Sequence, residues 1–394
     1  MPCAATNTKE SMNPELPYYL AFARVRGIGA VRVRRLKTYF GELRLAWGAG
    51  EFDLVAAGLD AKSIGSLAQA RRNIVPDAEV ERMHTAGATV LTWDDSNYPK
   101  LLREVEDAPP VIFVKGTITD ADAWAVSIVG TRRATVYGRE VAEMLAGDLA
   151  RSNITVVSGM ARGIDAAAHA AAIKAGGRTL AVLGCGVDVV YPPEHRKLAK
   201  DIVEHGALIS DYPIGTPPDA NNFPPRNRII SGLSMGVVVV EADEQSGALI
   251  TTKFAAEQGR DVFAVPGNIF NRTSRGVNKL IQQGAKVVMD TQSVLEELNL
   301  GMVADHAEVQ AAVPENDTEK TILSKLTHEP TNIDEIVRTL SLPAELVTAS
   351  LALMELKGMV RQGNGTSYVL AREGQVEYEV NKPRASRKFE KREK

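Results

Sequence analysis

The stretch TVVSGMARGIDAAAHAAAIKAGGRTLAVLG, residues 155–184, decides the fold. It opens on a short β-branched run, turns through glycines at 159 and 163, continues as an Ala-rich helical stretch and closes on a second apolar run. Strand, helix and strand in that order make a unit of parallel sheet, because a parallel neighbour needs a crossover that a helix supplies. The alternation extends in both directions, with strand-like runs at VSIVG (126–130), ALISDY (207–212), GVVVVEA (236–242), DVFAVPG (261–267) and KVVM (286–289). Helical stretches with Ala, Glu and Leu at three-to-four spacing separate them. This pattern predicts an α/β fold whose mostly parallel sheet is covered by helices on both faces.

The 394 residues exceed one typical domain, and the chain divides into a Rossmann-like sheet core at 86–299 and flanking parts. Residues 15–85 read as a domain of short helices. Within it RGIGAVRVRRLKTYFG resembles a sterile-alpha-motif or helix-hairpin-helix module, a GxG turn entering a helix whose first amides suit a phosphate. Residues 300–317 read as a linker, 318–371 as a winged helix, and 372–394 as a basic tail. In the winged helix, PAELVTASLALMELKG would be the groove-reading helix. Its two Glu and single Lys favour a protein contact or a structural role over sequence-specific DNA binding.

Composition narrows the classes. The longest apolar runs fall far short of the roughly 20 residues that span a membrane, and no secretory signal is visible. Cys3 and Cys185 suit neither a disulfide framework nor a zinc site, so a soluble cytoplasmic protein is expected. The net charge is −3, but basic residues concentrate in two places. Residues 24–44 hold seven Arg and Lys against one acid, and 382–394 hold seven against two. Local basic clusters on an acidic chain suit a polyanionic partner, a solvated helix face or a solubilising tail.

The strand ends carry the chemistry. Parallel sheets bind ligands where strands lead through loops into helix N-termini, and glycine there lets a ligand approach backbone amides. SIVG leads into Gly130, Thr131 and Arg132; VVSG supplies Ser158, Gly159 and, four residues on, Gly163; VVVEA leads to Ser246 and Gly247, with Ser246 expected to cap the next helix. In NNFPPRNRIISGLS (221–234), Pro224 and Pro225 start a helix, with Arg226 and Arg228 in its first turn and Phe223 placed to stack on a base. The competing reading pairs both arginines with internal carboxylates and buries Phe223 in the core. No GxGxxG follows the first strand and no GxxxxGK[ST] occurs anywhere, so no nucleotide cofactor is expected. Nor do the histidines have metal-ligand spacing.

Together, GTR (130–132), SGMARGIDAAAH (158–169), LGCGVDVVYPPEH (183–195), SDYPIGTPP (210–218), FPPRNRIISGLS (223–234) and VVVEADEQSGALITTKFAAEQGRDVFAVPG (238–267) resemble the DNA-processing protein A (DprA, or Smf) family, in its order and spacing. The resemblance covers about 90–290. Pro225 stands where a basic residue is common in the family, which would remove one phosphate contact. The resemblance implies a non-enzymatic protein of natural transformation and recombination. Such a protein binds and protects incoming single-stranded DNA, loads the RecA recombinase onto DNA coated with single-strand-binding protein, and forms a homodimer through the Rossmann-like domain. It implies that Arg132 contacts phosphate, that Phe223 and its neighbouring arginines line the DNA pocket, and that the loops at 158–163 and 246–247 supply backbone donors.

The enzymatic alternative is a Rossmann-like nucleotide-processing hydrolase. Asp165 and His169, one helical turn apart, resemble an acid/base pair but fit a hydrogen-bond network better. Glu241 and Asp243 at a strand end are placed to activate water, yet the PGGxGTxxE loop of such hydrolases is missing. Cys185 reads as a buried structural thiol.

Overall fold

The structure, a computed structural model, describes residues 13–300, 317–323, 325–326, 331–340, 342–356, 360–362 and 367–370. Cys3, all of the expected linker except its end residues, the turn of the expected wing (363–366) and the basic tail lie outside the described residues. The chain forms two compact units, 1–304 and 305–394.

The first unit is built on a nine-stranded sheet: β1 (Thr89–Thr92), β2 (Val111–Gly116), β3 (Ala125–Val129), β4 (Thr155–Ser158), β5 (Thr179–Val182), β6 (Gly206–Ser210), β7 (Gly236–Val239), β8 (Asp261–Ala264) and β9 (Lys286–Val287). Their spatial order is β1-β2-β6-β5-β4-β3-β7-β8-β9. Strands β3 to β9 are parallel, while β1 and β2 are an antiparallel addition, β2 pairing Phe113 with Ser210 of β6. The chain moves outward from β3 through β4 and β5 to β6, then returns to place β7 on the other side of β3. That reversal opens a crevice between β3 and β7 at the strands' carboxyl ends, the position where open α/β sheets take ligands.

Side chains alternate across the sheet as the pleat requires. Val129, Val157, Leu180, Ile209 and Val239 pack beneath Ile229, Ile230 and Ala255 of the helices Phe223–Gly232 and Ala248–Glu257. Val126, Ile128, Val156 and Val238 face the opposite way, under Leu145, Leu149, Ala168 and Ala172 of the helices Val136–Arg151 and Ile164–Lys174. The helices of 16–85 enclose a core of their own around Phe22, Leu36, Leu43, Leu54 and Leu67. Leu20, Val80 and Met83 tie them to the sheet through Phe113 and Leu208.

In the second unit the helices Asp317–Leu323, Ile333–Leu340 and Ala344–Leu356 pack Ile322, Ile336, Val347 and Leu351 together beside Val360 and Tyr368. Three short strands, 331–332, 367–370 and 360–362, form an antiparallel sheet in that order, completing a winged-helix arrangement. Among the described residues no single helix is long and apolar enough to cross a membrane.

Candidate functional site

A cavity of about 560 Å³ opens at the carboxyl ends of β3 and β7. Its lining includes Gly130 and Arg132 after β3, Asp165 on the helix after β4, Tyr191 after β5, Phe223 and Arg226 at a helix start, and Ser246 and Gly247 after β7. Chain segments far apart in sequence meet here because each follows a parallel strand.

Arg132 is exposed and has no acidic partner among the described residues. Its guanidinium lies 5.6 Å from the centroid of the Phe223 ring. The Thr131 amide donates to Glu241 O at 2.8 Å, and the Thr131 carbonyl accepts from the Ile164 amide, so the loop carrying Arg132 is tied to both flanking elements. Gly163 makes that closure possible: its φ is +78°, and a Cβ there would sit 2.3 Å from Thr131 O.

Arg226 forms the floor. It is 4% exposed and donates to the carbonyls of Gly159 and Val182, while its Nε reaches Asn227 Oδ1 at 3.2 Å. Burial works against its charge, and the Asp165 carboxylate nearby works for it. Asp165 is buried too and accepts from the amides of Gly159 and Ala161 at 3.2 and 3.3 Å. Burial raises its pKa, opposed chiefly by Arg226. The floor is therefore a nearly neutral buried couple, and the uncompensated positive charge stands at the rim on Arg132. Phe223 is half-buried between Arg132 and Arg226, whose guanidinium lies 5.9 Å from its centroid. The ring packs over Gly184, where a Cβ would come within 2.7 Å of it, and meets Tyr191 at 5.5 Å between centroids with a 36° tilt.

The remaining expected residues are placed differently. Ser158 is fully buried and donates to Ile128 O at 2.6 Å, so its hydroxyl holds β4 to β3 and does not enter the cavity. Arg228 also points away: Nη2 binds Asp211 Oδ2 at 2.6 Å, and Nη1 binds Asp107 O at 2.9 Å. The internal-carboxylate reading thus holds for Arg228, whereas Arg226 donates to two main-chain carbonyls and Asn227 and is in no ion pair among the described residues. Gly159 lines a small adjoining cavity with Arg162 and Tyr191. Gly247, not Ser246, occupies the N-cap of the helix Ala248–Glu257, and Ser246 Oγ accepts from the Ala248 amide at 3.3 Å. A Cβ at 247 would meet nothing within 4 Å, leaving that backbone open to the cavity. Tyr191 and Asn227 are lining residues the sequence reading did not single out; the aromatic in VVYPPEH, at a strand end rich in glycine and proline, was the available signal.

The groups considered for acid–base chemistry are engaged elsewhere. Glu241 is buried and accepts from the Thr135 amide, the Thr135 hydroxyl and the Thr273 hydroxyl. Asp243 is held by Arg272. His169 Nδ1 lies 2.6 Å from Thr179 Oγ1, which itself donates to Val156 O, so Nδ1 carries the proton of the neutral ring. Burial depresses the His169 pKa to about 3. The Cys185 thiol is buried, with its pKa pushed up to about 11 by desolvation, far from a nucleophile's range.

Two family models cover most of the chain: DNA recombination-mediator protein A over residues 89–299, and the DprA winged helix domain over 306–366. The chain is 35% identical to protein Smf of Synechocystis over 393 residues, covering 90% of this chain and 99% of that one. It is 45% identical to the DNA processing protein DprA of Bacillus subtilis over 213 residues, 54% of this chain and 72% of the relative. The X-ray structure of DNA processing protein A from Streptococcus pneumoniae superposes with a TM-score of 0.64 at 34% identity, covering 71% of this chain and 97% of that one. With its sheet core and its winged helix both matched, the chain belongs to the DNA recombination-mediator protein A (DprA) family.

Proposed function

We propose that the chain binds single-stranded DNA without sequence preference through the cavity at the rim of the sheet. In this reading it acts in the cytoplasm as a non-enzymatic mediator of recombination during DNA uptake. The observation that carries the reading is the triad of exposed Arg132, half-buried Phe223 and buried Arg226 around one open cavity. An unpaired guanidinium takes a phosphate, Gly130 and Gly247 leave backbone within reach of the strand, and Phe223 with Tyr191 offers ring surface to a base. Base faces are available only on an unstacked strand, since a duplex shows a protein its base edges. Ser158, Gly163 and Arg228 serve by holding the loops and the helix in place. Family membership supports the further steps: protection of the strand, loading of the RecA recombinase onto DNA covered by single-strand-binding protein, and action as a homodimer.

The test is anisotropy titration of a labelled single strand and its duplex at two salt concentrations. The single strand binds more tightly, and Arg132→Ala weakens binding to all sequences alike. The log–log salt slope falls in magnitude by about 0.7, the value for one lost phosphate contact on a single strand. Unchanged affinity in Arg132→Ala rejects the cavity as the site. Release of base or phosphate from a nucleotide panel would favour the hydrolase instead.

A further inference from the structure

Seven basic residues crowd 24–44, and the structure sorts them. Arg24, Arg32, Lys37 and Arg44 are held by Glu79, Asp60, Asp94 and Glu42. Arg32 also donates to Gly27 O, so its charge is spent on the GxG turn, and Arg26, the seventh, is exposed and does not line the groove described next. Arg34 and Arg35 have no acidic partner among the described residues. They line an open groove of about 640 Å³ together with Val31 and Tyr39. Positions 31, 34, 35 and 39 fall on one face of the helix Ala30–Phe40. The Arg34 guanidinium is fixed over the Trp93 ring at 5.0 Å, and Arg35 reaches only the Gly58 carbonyl, at 3.4 Å. Tyr39 is half exposed, its ring set edge-on to Phe40.

Two unneutralised guanidinium groups, one of them braced on an indole, beside an accessible aromatic ring form a binding surface for phosphates and a base. The groove also adjoins the cavity's supports. Glu106 lies on its wall, and the next residue, Asp107, holds Arg228 of the helix that carries Phe223 and Arg226. We propose that this groove is a second subsite for single-stranded DNA, taking a segment of the strand that extends past the cavity, with phosphates on Arg34 and Arg35 and a base against Tyr39. The inference rests on the cavity binding a single strand as proposed above. Glu106 is the one acid in the groove wall and opposes the strand.

The full chain is titrated with labelled oligothymidylates of about 6 and about 20 nucleotides, lengths bracketing a compact single-strand site. For the double variant Arg34→Ala, Arg35→Ala the long oligomer binds about tenfold more weakly, and its salt slope falls in magnitude by about 1.4, two phosphates at about 0.7 each. The short oligomer is unaffected. Glu106→Gln tightens the long oligomer alone. A second double variant, Arg35→Gln, Tyr39→Leu, leaves Arg34 on Trp93 and guards against a fold defect; it too weakens only the long oligomer. Wild-type affinity of both double variants for the long oligomer, with Arg132→Ala still weakening both lengths, overturns the groove, as it would if the surface docks a protein. Equal losses for both lengths in the groove variants also overturn it. If Arg132→Ala weakens neither length, it is the cavity reading that fails.

Discussion

Acid should lower the stability of the sheet core through His169. The side chain is fully buried, its Nδ1–H is committed to Thr179, and its Nε2 has no hydrogen-bond partner. A second proton on Nε2 would be buried without an acceptor and close to the His195 ring and the charge of Arg226, and these are the reasons its pKa falls to about 3. In the unfolded chain the ring titrates near 6.5. A depressed folded-state pKa gives stability that is present above the unfolded value and is lost as pH falls toward the folded one. From pH 7 to pH 5 the loss is about 2 kcal/mol, because the unfolded ring is then almost fully protonated while the folded ring is still neutral. His169→Asn keeps a donor for Thr179 and has no proton to take up. At pH 7 it costs about 1–3 kcal/mol for lost packing. Urea unfolding followed by intrinsic fluorescence at pH 5, 6 and 7 measures both chains. The gap between wild type and variant narrows by about 2 kcal/mol on going to pH 5, since every other titrating group is shared. A gap of constant size at all three pH values refutes the assignment of the depressed group and of its tautomer.

Two further outcomes separate structural from binding roles. Arg228→Ala strands Asp211, whose pKa burial already raises, and costs about 3 kcal/mol in denaturant melts, the low end for a buried pair because both side chains keep some exposure. Yet at a temperature where the variant is folded its affinity for single-stranded DNA stays close to wild type, unlike that of Arg132→Ala. Gly184→Ala drives a methyl into the Phe223 ring; anisotropy then shows a loss of about tenfold or more in strand affinity as the stacking surface is displaced, and retention of full affinity would remove Phe223 from the site.

Much of this was legible because two periodicities carry it. Runs such as TVVSG and TLAVLG, separated by an Ala-rich stretch with glycines at the turns, admit few arrangements besides strand–helix–strand, and the strand ends then gather the Gly-rich loops without further information. Strands β1 and β2 escaped the reading, since they are an antiparallel extension of the edge joined to each other through a short helix and the Pro109–Pro110 turn, outside the alternation that announced the rest. The seat of Phe223 was hidden too: nothing local to LGCG says that Gly184 is bare to receive an aromatic ring from residue 223.

Arg226 and Arg228 show where a sequence argument had more to give than the residue types suggest. The sequence places both in the first turn of one helix, where basic residues invite assignment to one anion, but the helix already begins at Phe223, which puts Arg226 in its first turn and Arg228 in its second. A helix turns about 100° per residue, so side chains two positions apart leave its axis roughly 200° apart. If Arg226 faces the crevice between β3 and β7, Arg228 must face nearly the opposite way, toward the segment that holds Asp107 and the end of β6 with Asp211. The same geometry leaves Phe223, three residues before Arg226 and therefore on its side of the helix, as the partner that shares the cavity. Arg132 completes the group from another element altogether, and it alone keeps an unspent charge: Arg226 is balanced by Asp165, and Arg228 by Asp211. The cradle for a strand thus draws its net charge from a single exposed arginine, with the buried Arg226 and the partly buried Arg228 fixing where the aromatic ring and the loops stand.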